Sequence, residues 1–127
     1  MAFEPIEFFR LAEYLYSEQK NQAGYRATIG RAYYAAMLSA RNKAGLSSKG
    51  ANGHETVVKY YKSSSDANLA AIGNRLDDLR VSRTNSDYEC DKVVVSRDAG
   101  ASIAKSRTIL NALGFDLNEI GKLPNPK

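Results

Sequence analysis

Apolar residues recur along this chain at steps of three and four, the spacing that lines one face of an α-helix. Ile6, Phe9, Ala12 and Leu15 or Tyr16 mark a first helix over about Pro5 to Gln19. Pro5 suits its first turn, with Glu4 and Glu7 near the positive end of the helix dipole. Asn21 is a natural N-cap for a second helix running to about Ala44, with Gly45 as its C′ residue. That helix carries two stripes: Ile29, Tyr33, Ala36, Met37, Ala40 and Ala44, and the amphipathic set Arg31, Tyr34, Leu38 and Arg41. A helix apolar on more than one side sits at the centre of a bundle or also faces a partner chain.

Leu46 to Gly53 reads as a Ser-, Gly- and Lys-rich loop. Asn52 and Glu55 then make a variant capping box that opens a short helix through Val57, Val58 and Tyr61. Ser63 to Ser65 form a turn, and Asp66 caps a fourth helix to about Ser82, whose stripe is Leu69, Ile72, Leu76 and Leu79. Thr84, Asn85, Ser86 and Asp87 bond their own backbone readily, so a turn is expected over Arg83–Glu89. A last helix over Val93 to Leu113 carries Val95, Ala99, Ile103, Ser106, Leu110 and Leu113. Gly114 closes it, and a loose tail follows from about residue 115. The expected fold is all-α: an up-and-down bundle of four main helices plus one short helix, in a single domain over residues 1–127. The two stripes of the second helix lead us to expect a two-fold dimer built on parts of the second and fourth helices.

Composition adds few constraints. A charged fraction of 25% and an apolar fraction of 43% belong to an ordinary soluble globular domain, and no apolar run approaches a membrane span. Phe3, Glu4 and Glu7 give no basic leader, so a cytoplasmic protein is expected. A single cysteine, Cys90, excludes an intramolecular disulfide, and with a single histidine it argues against a usual zinc site. No metal and no cofactor is expected. Charge is placed unevenly: residues 1–19 balance to −3, residues 20–62 to +7 and the remainder to zero. A basic central segment invites phosphates or an acidic partner.

The candidate chemistry gathers at the end of the fourth helix. Arg80 and Arg83 are three apart and share a face, with Asn85, Asp87 and Tyr88 following. Three landmarks occur in order: Arg31-Ala-Tyr-Tyr-Ala-Ala-Met37, then His54, then Arg80 to Tyr88. Together they resemble the HEPN superfamily of small helical-bundle domains, over roughly residues 8 to 113. The nearest likeness is to its branch with an Arg-Ala-Tyr-Tyr-Ala helix, a mid-chain His and an Arg-x-x-Ala-Asp-Tyr turn.

That resemblance implies a helical homodimer that binds RNA or nucleotide. Many members are metal-independent endoribonucleases, often toxins paired with a nucleotidyltransferase-like antitoxin, or parts of antiviral defence systems. Their signature is an Arg, a nearby polar residue and a His four to six residues beyond the Arg. Arg83 matches the Arg and Asn85 the polar residue, while Tyr88 stands five residues on where the family has His. Ser86 stands where this branch has Ala.

Cleavage of RNA without a metal needs a base for the 2′-hydroxyl, cations for the phosphorane and an acid for the 5′-oxygen, leaving a 2′,3′-cyclic phosphate. Arg80 and Arg83 supply the cations. Tyr88, with a reference pKa of about 10, is a poor base at pH 7, though it can donate a proton, orient a phosphate or stack on a base. Asp87 serves as base only if burial raises its pKa. His54 either completes the site from elsewhere in the fold or simply starts its helix. The candidate catalytic residues are therefore Arg83, Tyr88 and Asp87, and the candidate nucleic-acid contacts are Arg80, Arg83, Asn85 and His54. Three functions remain open: an RNA- or nucleotide-binding domain, a protein-interaction subunit for a nucleotidyltransferase-like partner, and a ribonuclease with Tyr88 in place of the usual His.

Overall fold

The computed structural model describes residues 3–46 and 53–117. They form α1 (Ile6–Glu18), α2 (Gln22–Lys43), α3 (Gly53–Lys62), α4 (Ala67–Tyr88) and α5 (Ser96–Ala112), with no strand among the described residues. No described helix is long and apolar enough to cross a membrane. The expected cap at Asn52 lies outside the described residues.

α2 is the axis of the bundle. It packs against α1, α4 and α5, and touches α3 more lightly. Thr28, Ile29, Ala32, Tyr33, Ala35, Ala36, Ser39 and Ala40 are all buried, and Arg31, Tyr34, Met37 and Leu38 are half-covered. Both stripes read from the sequence are thus met largely inside one chain. Small residues at positions 32, 35, 36 and 40 let the neighbours approach closely, and the larger apolar side chains come from those neighbours. Phe9, Ile72, Leu76, Leu79, Ile109 and Leu110 fill the core around α2. Each such side chain contributes roughly 1.5–3 kcal/mol by leaving water.

The connections explain the element bounds. Asn21 caps α2, its side chain accepting from the Gly24 N–H at 2.7 Å. Gly24 admits no side chain, because a Cβ there would lie 1.9 Å from the Gln19 carbonyl oxygen. Asp66 caps α4, accepting from the N–H groups of Asn68 and Leu69. Gly45 and Gly114 take positive φ at the ends of α2 and α5, as C′ residues do. Past Gly114 the chain stays packed, with Phe115 against the core and Leu117 buried within it.

Two boundaries differ from the pattern. α4 does not turn at Arg83; it continues to Tyr88. The end is held by a distant cation: the Arg26 guanidinium on α2 donates to Ser86 O in the last turn at 2.7 Å, and to Glu89 O at 3.2 Å and Lys92 O at 2.5 Å just beyond it. A charged donor at a helix C-terminus also complements the dipole. Ser86, expected to break the helix, instead bonds the Ser82 carbonyl one turn back. α5 begins at Ser96 rather than Val93. The Gln22 side chain bonds both backbone groups of Val94, and the Asp98 carboxylate takes the Val95 N–H, which holds this stretch out of the helix.

α3 lies close against α4 at Gly73, where a Cβ would meet Lys62 Cγ at 2.6 Å and Val58 O at 3.0 Å. Tyr61 fastens α3 from the other side, its hydroxyl donating to Ala40 O at 2.6 Å. This close approach sets both ends of α3 against the middle of α4.

Candidate nucleic-acid interface

His54, at the start of α3, is the pivot of a hydrogen-bonded chain. Its imidazole is 10% exposed, stacked near the Tyr33 ring, and it bonds at both nitrogens. Nδ1 lies 2.6 Å from the Tyr33 hydroxyl, and Nε2 lies 3.2 Å from Asp77 Oδ1. The other Asp77 oxygen accepts from Lys62 Nζ at 2.7 Å. Burial pushes the Tyr33 hydroxyl up to about 12, even with Arg83 nearby, so it keeps its proton and donates to Nδ1. Nε2 therefore carries the imidazole proton and donates to Asp77. Burial also holds His54 below its ordinary pKa, opposed by the Asp77 hydrogen bond and assisted by Arg80 and Arg83. His54 is neutral at pH 7. Asp77 is held below the usual carboxylate range, first by the Lys62 hydrogen bond and then by His54.

Arg83 reaches the same cluster from α4. Its guanidinium lies over the rings of Tyr33 at 5.2 Å and Tyr34 at 5.7 Å, and donates to Asp87 Oδ2 at 3.2 Å. Burial works against its charge, but Tyr34, Tyr33 and Asp87 outweigh that, so its pKa is raised. The Arg83 Nε is buried with no acceptor among the described residues. One face of this guanidinium is thus committed to two aromatic rings and one edge to a carboxylate.

Arg80, one turn earlier, is exposed and makes no ion pair or side-chain hydrogen bond among the described residues. It forms part of the wall of a cleft of about 450 Å³ between α3 and α4, with His54, Lys59, Lys62 and Asp77. It also borders a hollow of about 280 Å³ on the outer side of α4, with Val81, Thr84 and Asn85. Among the described residues no group of three His, Cys, Asp or Glu side chains is placed to hold a metal. Cys90 is exposed.

Of the residues singled out in the sequence, His54, Arg80 and Arg83 come together around Tyr33 and Asp77, and Asp87 joins through Arg83. Asn85 lies elsewhere, accepting from Lys92 Nζ at 3.3 Å. Tyr88 stands apart, 71% exposed at the end of α4. Five residues along a helix is a rotation of about 140°, which carries Tyr88 off the face that Arg83 presents. Tyr33, Asp77 and Lys62 were not marked as site residues by the sequence. Tyr33 read as a core position, which it also is, and nothing in the spacing links Asp77 to His54.

No protein-family model matches this chain, and neither a curated protein nor a solved structure does.

Proposed function

We propose that this chain is a HEPN-like domain that binds RNA or nucleotide, with Arg80 and Arg83 on α4 as its principal phosphate contacts and His54 and Asn85 at its margins. The observation that carries this reading is the exposed, unpaired Arg80 guanidinium, set between two hollows and beside the aromatic-backed Arg83. A guanidinium held at a concave surface by a rigid helix is suited to forked hydrogen bonding with a phosphate. Lys59 adds charge to the same cleft, where Lys62 is paired with Asp77. The functional unit in this reading is an up-and-down bundle paired two-fold along α4, serving a toxin–antitoxin or antiviral defence system.

Binding of a fluorescent mixed-sequence RNA, followed by anisotropy, tests it. Arg80→Ala is the informative variant because Arg80 is exposed and makes no ion pair or side-chain hydrogen bond among the described residues. A loss of affinity of about tenfold, the scale of one charged hydrogen bond, supports the assignment. An unchanged affinity removes Arg80 from the site.

A second reading has its own observation. Val81 and Tyr88, seven residues apart on α4 and so nearly on one face, are 62% and 71% exposed. In that reading the stripe receives a protein, such as a nucleotidyltransferase-like partner. Cleavage would add to the first reading a metal-independent attack by the ribose 2′-hydroxyl, with Arg83 holding the phosphorane and Asp87 beside it at 3.2 Å, whereas Tyr88 projects from another face of α4. Incubation with total RNA and detection of 2′,3′-cyclic phosphate ends tests for it.

A further inference from the structure

Four hollows lie in sequence over the surface of the protein, three along α3 and α4 and the fourth where α4 ends beside α2 and α5, each sharing a wall residue with the next. A wide one of about 620 Å³ beside Tyr60 shares Lys59 and Ser63 with the cleft between α3 and α4. That cleft shares Arg80 with the outer hollow of α4. The outer hollow in turn shares Asn85 with a pocket of about 220 Å³ walled also by Lys92 and Val93. The four follow one another from Tyr60 to Lys92 as an interrupted track, separated by the side chains they share.

Cations punctuate this track. Lys59 and Arg80 make no ion pair among the described residues, and Lys92 bonds only the neutral amide of Asn85, which leaves its charge uncompensated. Between and beyond them stand exposed apolar surfaces, with Tyr60 51% and Val93 74% exposed. Three carboxylates also face the track. Asp77 is held by Lys62 and His54, Asp98 accepts from the Val95 N–H, and Glu55 lies in the α3–α4 cleft. Their presence disfavours a lone small anion, which would meet both signs of charge at short range. It disfavours a chain far less, because successive phosphates can settle on the separated cations.

We infer that the track binds one single-stranded oligonucleotide, with phosphates at Lys59, Arg80 and Lys92 and unstacked bases on Tyr60 and Val93. This rests on the RNA- or nucleotide-binding reading above and narrows its ligand from a nucleotide to a strand. A cationic groove with an exposed aromatic ring on which a base can stack is how single strands are held without sequence readout. A paired duplex keeps its bases stacked on one another and has none to offer Tyr60. Linked subsites also multiply: once one phosphate is seated, the next binds at a high effective concentration.

The test compares uridine 5′-monophosphate with uridylate strands of two, four and eight residues on the intact chain, by calorimetry or by competition for a labelled octanucleotide. Affinity rises with length, by roughly tenfold or more from the mononucleotide to the octanucleotide. Lys59→Gln and Lys92→Gln, at opposite ends of the track, each weaken octanucleotide binding several-fold, whereas at most one of them affects the mononucleotide. Tyr60→Ala weakens the octanucleotide as well, through lost stacking. Equal affinity for mononucleotide and octanucleotide overturns the track while leaving a phosphate site at Arg80. So does an octanucleotide that binds as tightly when paired with its complement. Failure of every ligand to bind overturns the nucleic-acid reading itself, and the track with it.

Discussion

The Tyr33 hydroxyl donates to Nδ1 of His54 across 2.6 Å, and that contact fixes the imidazole as the tautomer with its proton on Nε2. Removing the hydroxyl leaves a buried acceptor without a donor, at a cost of about 1–3 kcal/mol. Tyr33→Phe is therefore expected to lower stability by that amount in denaturant titration, while the ring still lies beneath Arg83. The lost hydrogen bond favoured the neutral imidazole, so the His54 pKa rises in the variant. Nitrogen NMR of the imidazole reads both effects, and an unshifted titration would show that the tautomer is set elsewhere.

Stability should depend on pH through the same residue. The folded protein holds His54 below its ordinary value of 6.5, mainly by burial. Below about 6.5 the unfolded chain takes up a proton that the folded chain resists, so stability falls as the pH drops from there toward the folded pKa. Above 6.5 this contribution is fully present and flat. Asp77, also held below its ordinary value of 3.8, adds a further loss only in stronger acid. Melting temperatures from pH 7.5 to 5 should decline for the native chain and decline less for His54→Gln. Parallel curves would assign the decline to other groups.

The last turn of α4 hangs on Arg26. Three carbonyl acceptors converge on its guanidinium from 60 or more residues away in sequence. Arg26→Ala should fray the helix, with hydrogen exchange accelerating at the amides of residues 85–89 and at Val94 and Val95, while the amides of residues 72–79 keep their protection. Uniform acceleration would mean that Arg26 supports the whole fold rather than this end.

Those contacts also explain what the sequence conceals. All five helices were legible, because apolar residues at steps of three and four left little alternative. The caps at Asn21 and Asp66 and the glycines at 45 and 114 were legible for the same local reason. The end of α4 was not: Thr84, Asn85 and Ser86 favour a turn locally, and the side chain that overrides them comes from α2. The site divides along the same line. Arg80 and Arg83 were visible by their spacing of three, while Asp87, expected in a turn, meets Arg83 because the helix continues. The partners of His54 were hidden, because Tyr33 and Asp77 lie 21 and 23 residues away on different helices. The second stripe of α2 suggested a partner chain, yet α1, α4 and α5 of the same chain cover much of it.

A two-fold dimer consequently needs a different seam. The large apolar side chains left exposed on α4 are Val81, which also lines the outer hollow, and Tyr88. Light scattering at tens of micromolar should give twice the mass of the 13.9 kDa chain. Tyr88→Glu should return it to the monomer with no loss of stability, since Tyr88 is exposed. A native chain that scatters as a monomer would leave the stripe for another protein or for solvent.

The central claim, that Arg80 meets a phosphate, is tested most directly by the salt dependence of RNA affinity in the native chain and in Arg80→Ala. Each phosphate neutralised on a single strand contributes about −0.7 to the slope of log affinity against log salt. The native chain is expected to show a steep negative slope, and Arg80→Ala a slope shallower by about 0.7, one phosphate fewer. A native affinity indifferent to salt, or identical slopes for the two proteins, would contradict it.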